Sequence, residues 1–319
     1  MSSPKRLYHE LLAMLKPLGK GGRPERRETL ALLMTGSFAS EEVRLHRLAA
    51  RAPLDVKEES VAQRFRRWPK NPRVDARMIY DPVARQVLAS LRHTRVRLQI
   101  DRSVFDDRFN TLMCSLSFRK RAVPLLWMAL PHEGNATFME KETILAQLAA
   151  LLPQVIVLGD REFGTPDTMR TIQGQGWDFC LRVKGDQYVF LPDTRQWVHL
   201  RALAPAPGQR GFLTGVTLTQ SNAYGPLNFA LACDPDGDAP WLIATTLPPS
   251  PCILHHDARR FGGEARFADV KGRGFNMEAS PLQHPDRFSR LRLAVARLVV
   301  WAVTVARRRR VTGLARSLS

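Results

Sequence analysis

The chain is poor in the features that would assign it to cysteine or membrane chemistry. Its four cysteines, Cys114, Cys180, Cys233 and Cys252, lie far apart and form no CxxC pair, which excludes a zinc-knuckle or disulfide framework and favours buried thiols in a reducing compartment. There is no long uninterrupted apolar run. The first residues carry Lys5, Arg6 and His9 without an apolar signal-peptide core, and the stretch Leu291–Ala306 contains Arg292 and Arg297 and is too short and charged to cross a bilayer. A cytoplasmic protein with no membrane segment is therefore expected. No internal repeat occurs. The run Asp234-Pro235-Asp236-Gly237-Asp238 lacks the remainder of a calcium loop and its closing glutamate, so it reads as a hairpin turn.

Acidic residues are also scarce: 48 Lys and Arg stand against 30 Asp and Glu, a net charge of +18 over 319 residues. Residues 1–90 hold 18 basic against 10 acidic residues, and residues 286–319 hold 9 Arg against one Asp. The middle of the chain, 91–285, is nearly balanced at 21 against 19. Basic ends around a near-neutral centre suit segments that grip a polyanion such as DNA on either side of an enzymatic core, or else an Arg-rich solvated surface.

The length suggests about two domains. Residues 28–50 read as two short amphipathic helices broken at Thr35-Gly36-Ser37, with Ser40 as an N-cap, and a third helix over 58–68 ends in Arg64-Phe65-Arg66-Arg67-Trp68. Such a set resembles a DNA-binding module; it also suits a helical bundle packed on the core. Strand-like runs follow at Val96–Ile100, Phe109–Phe118 and Ala122–Leu130, then a helix over Glu140–Leu152, a buried strand Val155–Leu158, a helix near Pro166–Gln173 and a strand Trp177–Val183. This β-β-β-α-β-α-β order matches a ribonuclease-H-like core. Residues 186–250 read as short antiparallel strands, Gln187–Leu191, Gly215–Thr219, Leu227–Cys233 and Trp241–Thr246, and so as a β-rich insertion. A final helix is expected over about 285–308, ending in Arg307–Arg310. The expected fold is α/β: a helical DNA-binding domain (1–92), the first part of the core (93–185), the insertion (186–250), and the second part of the core with a basic C-terminal helix (251–319).

Three acids occur where a metal centre could use them. Asp101 ends the apolar run Val96–Ile100, Asp160 ends Val155–Gly159, and Glu264 lies in a basic segment read as helix. On that helix Arg260, Glu264, Phe267 and Lys271 share a face, presenting a carboxylate between two cations. Such a face suits a phosphate backbone crossing a metal site; it equally suits an exposed i,i+4 Arg–Glu pair.

Asp101-Arg102-Ser103, Gly159-Asp160-Arg161-Glu162-Phe163 and Arg260-x3-Glu264-x6-Lys271 together resemble the DDE transposases of bacterial insertion sequences, in particular the insertion-sequence-four type. The resemblance covers most of the chain, with Asp160 59 residues after Asp101 and Glu264 a further 104 on. Two features depart from the pattern: Asp257 stands in the slot of the signature tyrosine, and Gly262-Gly263 precede the glutamate at a cost to helix stability of about 1 kcal/mol each. The resemblance implies that Asp101, Asp160 and Glu264 bind two Mg²⁺, with Mn²⁺ as a substitute. It further implies that Arg260 and Lys271 hold the phosphates of the transposon end, and that the reaction is end cleavage followed by transfer of a 3′-hydroxyl into target DNA. The implied partners are the terminal inverted repeats, target DNA and a second copy of the chain at synapsis. A nuclease derived from such an enzyme, and a non-catalytic DNA-binding inhibitor of transposition, are the competing functions.

Several residues admit two readings from sequence. Arg161 suits a phosphate contact or an ion pair with Glu162 or Asp167. Glu162 reads as a residue that supports the site or faces solvent, in preference to a ligand. Trp197 suits base stacking or core packing, and His255-His256 suit DNA contact or an exposed loop.

Overall fold

A computed structural model describes residues 3–16, 23–89, 91, 95–105, 109–118, 121–152, 154–235, 239–256, 258, 275–277, 280, 282 and 284–317. Strands β1 (Val96–Phe105), β2 (Phe109–Phe118) and β3 (Arg121–Leu130) form an antiparallel meander. Pro124, which has no amide hydrogen to give to a ladder, sits on edge strand β3 beside a register shift at Cys114/Ser115.

Helix α6 (Phe138–Ala149) then carries the chain to β4 (Val155–Gly159). It opens on a capping box in which Thr137 Oγ1 accepts the Glu140 N–H and the Glu140 carboxylate accepts the Thr137 N–H. Strand β4 is buried throughout, as its continuous apolar run requires, and it pairs parallel with β1, Val96 facing Val155 and Gln99 facing Leu158. Helix α7 (Pro166–Gly174) returns the chain to β5 (Asp178–Arg182), parallel to β4. The β-rich stretch that follows contributes β6 (Tyr188–Leu191), β7 (Gln196–His199), β8 (Arg210–Leu218), β9 (Tyr224–Ala232) and β10 (Trp241–Thr245). These strands extend the same sheet, because β10 pairs antiparallel with β5; the full order is β3-β2-β1-β4-β5-β10-β9-β8-β6-β7.

Side-chain alternation assigns the two faces of the sheet. On one face Ile156 and Leu158 of β4 join Cys180 and Ile243 in an apolar cluster with Ile253 and Leu254 of α8, which is described over 251–256. The same face of β3 carries Trp127, whose indole N–H donates to Ser289 Oγ of α9 (Pro285–Ser317) at 2.9 Å. Val155 and Val157 belong to a different cluster, shared with Ile144 and Leu148 of α6 and Met169 and Ile172 of α7.

Helix α9 is apolar around much of its girth because it is covered twice. It packs on β3, and its remaining sides meet α2 (Pro24–Ser40), α4 (Glu58–Lys70) and α5 (Ala76–Ala89). No described helix is long and apolar enough to cross a membrane. Together with α1 (Pro4–Leu15) and α3 (Leu45–Ala49), the N-terminal helices share one apolar core with the sheet, running from Leu7 to Val300.

Three local expectations change. Thr35-Gly36-Ser37 does not break a helix: α2 runs straight through it, and Gly36 lets α2 approach Leu48, whose carbonyl oxygen would lie 2.7 Å from an added Cβ. Ser40 ends α2, donating to the Gly36 carbonyl, and caps nothing. Phe65 and Trp68 of α4 are buried, with the Trp68 indole N–H given to the Arg26 carbonyl at 3.1 Å, so their rings belong to the core.

The half-buried Arg290 of α9 donates to the carbonyls of Pro69 and Val74, both at 3.0 Å, and so fastens α9 to the C-terminal end of α4. Arg290→Met keeps the stem and removes both charged donors. It is expected to lower stability by about 2 kcal/mol, read as a lower urea midpoint at unchanged m-value.

Candidate active site

Asp101 does not end its strand, as the sequence suggested. It sits inside β1, opposite Met113 of β2, because the hairpin continues to Phe105. What stops near Asp101 is the pairing with β4, whose last matched residues are Gln99 and Leu158. Carried two residues further, that parallel register sets Asp101 level with Asp160, on the face that carries α8 and α9. Both aspartates are half-buried.

Local backbone groups hold each carboxylate. Asp101 Oδ1 accepts the Arg102 N–H at 2.9 Å, and Asp160 Oδ1 accepts the Glu162 N–H at 2.9 Å. The turn after Asp160 closes through the Phe163 N–H on the Asp160 carbonyl at 3.1 Å. Glycines allow it to lie tight on β5: a Cβ at Gly164 would fall 1.9 Å from the Arg182 carbonyl oxygen, and one at Gly159 would fall 2.9 Å from Leu181 Cδ2.

On the opposite face a clip joins the two strand ends. Arg102, next to Asp101, donates through Nε to Glu162 Oε2 at 2.7 Å, and the pair is only 18% and 9% exposed. Glu162 Oε1 accepts the Ala136 N–H at 2.8 Å, and the Glu162 carbonyl accepts Lys141 Nζ at 3.0 Å. Arg102 also reaches Asn110 and Asn135, and Asn110 in turn donates to the carbonyls of His132 and Gly134. Glu162 is thereby committed to structure and does not face solvent. Burial pushes the Lys141 ammonium below its usual range, and Glu162 and Asp160 act against that shift.

A further cation faces the first aspartate. Arg292 of α9 is 2% exposed; burial pushes its guanidinium down to about 9, while Asp101 pulls it upward, so it stays protonated near neutral pH. The sequence offered one signal for it, a charge inside an apolar helix, since a buried charge needs an opposite partner. On the same face, four residues before Asp101, Arg97 Nε donates to His256 Nδ1 at 2.9 Å. His256 is buried, not a loop residue, and it docks α8 on β1.

The remaining candidates divide clearly. Glu264, Arg260 and Lys271, with Asp257 and Gly262-Gly263, lie outside the described residues. Arg161 is exposed and pairs with neither expected acid, since Glu162 is held by Arg102 and Asp167 by Arg170. Trp197 is half-buried against Phe190, ring centroids 5.5 Å apart. The described part of the site thus supplies two hard carboxylate donors, a set that suits Mg²⁺ or Mn²⁺ better than zinc. Among the described residues no cluster of three metal-ligating side chains occurs.

No protein-family model matches the chain, and no curated protein does. Among solved structures, the chain is similar to one described as the cryo-EM structure of the piggyBac transposase synaptic complex with hairpin DNA. The TM-score is 0.50 at 11% identity, over 94% of this chain and 74% of that one. At this identity the likeness is one of fold.

The clip sets the spacing of the two aspartates, and it can be tested by a double-mutant cycle. Arg102→Met strands a nearly buried carboxylate and is expected to cost about 2–4 kcal/mol; adding Glu162→Gln removes the stranded charge and recovers part of the loss. A coupling energy near zero in urea denaturation would contradict the clip.

Proposed function

We propose that the chain is a DNA transposase of the DDE kind, resembling the bacterial insertion-sequence-four type, with a ribonuclease-H-like core. The observation that carries this reading is the parallel register of β1 with β4, which, extended two residues past Gln99 and Leu158, brings Asp101 level with Asp160. The β-β-β-α-β-α-β element order, the fold shared with a transposase and the strongly basic composition support it. The third carboxylate is Glu264. Chain length allows its arrival: His256 is docked on Arg97, and the eight residues from there to Glu264 can reach at most about 28 Å. Four residues of strand, from Arg97 to Asp101, span about 13 Å.

In this reading Asp101, Asp160 and Glu264 hold two Mg²⁺. Those ions, when bound, activate the attacking oxygen and stabilise the leaving one in an in-line displacement at phosphorus. The chain's own residues supply position. The clip behind β1 and β4 fixes the separation of Asp101 and Asp160, the Gly164 turn keeps Asp160 at the strand end, and Arg292 offsets the negative charge gathered at Asp101. Arg260 and Lys271 flank Glu264 as phosphate contacts, and exposed Arg161 adds another. The substrates are the terminal repeats of the element and then target DNA. Two copies of the chain meet when two ends are synapsed, acting on DNA in the cytoplasm.

The test uses a plasmid carrying the gene with its flanking DNA. Asp160→Ala and Glu264→Ala are each expected to lower Mg²⁺-dependent strand cleavage at least about a thousandfold, since the lost stabilisation is several kcal/mol, while DNA binding persists. Cleavage that survives Asp160→Ala contradicts the metal assignment. Joined products with a second DNA separate a transposase from a nuclease that only cuts.

A further inference from the structure

We propose that the open cleft between α2 and α4, about 800 Å³ in volume, is a binding site for the phosphodiester backbone of duplex DNA. The proposal rests on the transposase reading and deepens it by assigning a DNA contact away from the acidic residues. Five arginines converge on the cleft, Arg23, Arg26, Arg64, Arg67 and Arg73, against one acid, Glu25.

The five have different tasks. Arg64 is half-buried; it donates to Thr29 Oγ1 at 2.7 Å and to the Glu25 carbonyl at 3.2 Å, and pairs with Glu28 at 3.3 Å. Arg26 donates to the Arg73 carbonyl at 3.1 Å. These two build the walls. Arg23, Arg67 and Arg73 are exposed, and among the described residues none of the three has an ion-pair partner. Exposed Arg66, on the same helix as Arg67, differs in that it pairs with Glu59 at 2.6 Å. Like charges left unpaired around a concave surface repel one another, and the concavity concentrates their field on whatever enters. A polyanion relieves that repulsion.

The chemistry of the cleft selects backbone over bases. Of the two aromatic residues of α4 that could have stacked a base, Phe65 is turned into the core, and Trp68, though it borders the cleft, is only 5% exposed and has its indole N–H given to the Arg26 carbonyl. Guanidinium groups without an aromatic platform contact phosphate and carry no sequence information. The cleft therefore adds affinity equally to any duplex, while discrimination between ends comes from elsewhere in the protein.

The experiment measures full-length protein by fluorescence anisotropy on two duplexes of equal length and unrelated sequence, over a salt series. Arg67→Ala/Arg73→Ala is expected to weaken binding to both duplexes alike. It should also reduce the slope of log K against log salt by about 2 in magnitude, roughly 0.9 for each phosphate that is no longer neutralised. Arg67→Lys/Arg73→Lys should keep the wild-type slope. Both sites are exposed, so thermal unfolding should match wild type in either variant. An unchanged slope in the alanine variant, or a loss confined to one duplex, overturns the proposal. If the slope stays at wild type while Asp160→Ala still abolishes cleavage, the cleft assignment fails and the transposase reading stands. If the wild-type protein binds neither duplex, both fail.

Discussion

The parallel pairing of β1 with β4 is the constraint on which the candidate site depends. Val96 faces Val155 and Gln99 faces Leu158, and that register, extended by two residues, brings Asp101 level with Asp160. A slip of one residue would turn Asp160 to the opposite face from Asp101. The register is well specified because both strands are apolar and β4 is buried on each side, with Ile156 and Leu158 under α8 and Val155 and Val157 toward α6 and α7. The clip from Arg102 to Glu162 then locks the strand ends where backbone pairing stops. Hydrophobic pattern sets the register, and one nearly buried ion pair holds its last two residues.

Charge is distributed in two ways that serve different ends. Two buried cations lie by the site: Arg292 faces Asp101, and Lys141 is bound to the Glu162 carbonyl. Burial shifts both downward, and acids of the site act against that shift: Asp101 on Arg292, Glu162 and Asp160 on Lys141. Exposed cations concentrate on the N-terminal helices. Helix α9 lies between the sheet and the N-terminal helices, in one core that runs from Leu7 to Val300.

Much of the core could be read from the sequence, since its strands are apolar runs and its helices have marked ends. Val155–Leu158, the helix expected over Glu140–Leu152 and the Pro166 helix start are local signals, and they survive folding with bounds shifted by a few residues at most. Where expectation failed, a tertiary contact decided. Gly36 resembles a helix break, yet it is small so that α2 can meet Leu48; Phe65 and Trp68 resemble a DNA surface, yet they face α2 and the core. Helix α5 and strand β7 were not anticipated, because α5 contains Pro82 and β7 is only Gln196–His199. At the site, Asp101 and Asp160 were legible as acids following apolar runs. Arg292 was not, because nothing in the sequence pairs it with a residue nearly two hundred positions earlier.

The central claim is that Asp101, Asp160 and Glu264 share one metal centre. Iron-directed cleavage of the protein backbone tests it most directly, with Fe²⁺ in place of Mg²⁺ and peroxide with ascorbate generating hydroxyl radical at the bound ion. A shared centre predicts cuts mapping to three regions, around residues 101, 160 and 264, all suppressed by excess Mg²⁺ and lost in Asp160→Ala. Cuts near 101 and 160 with none near 264, or cuts that persist in Asp160→Ala, would contradict it.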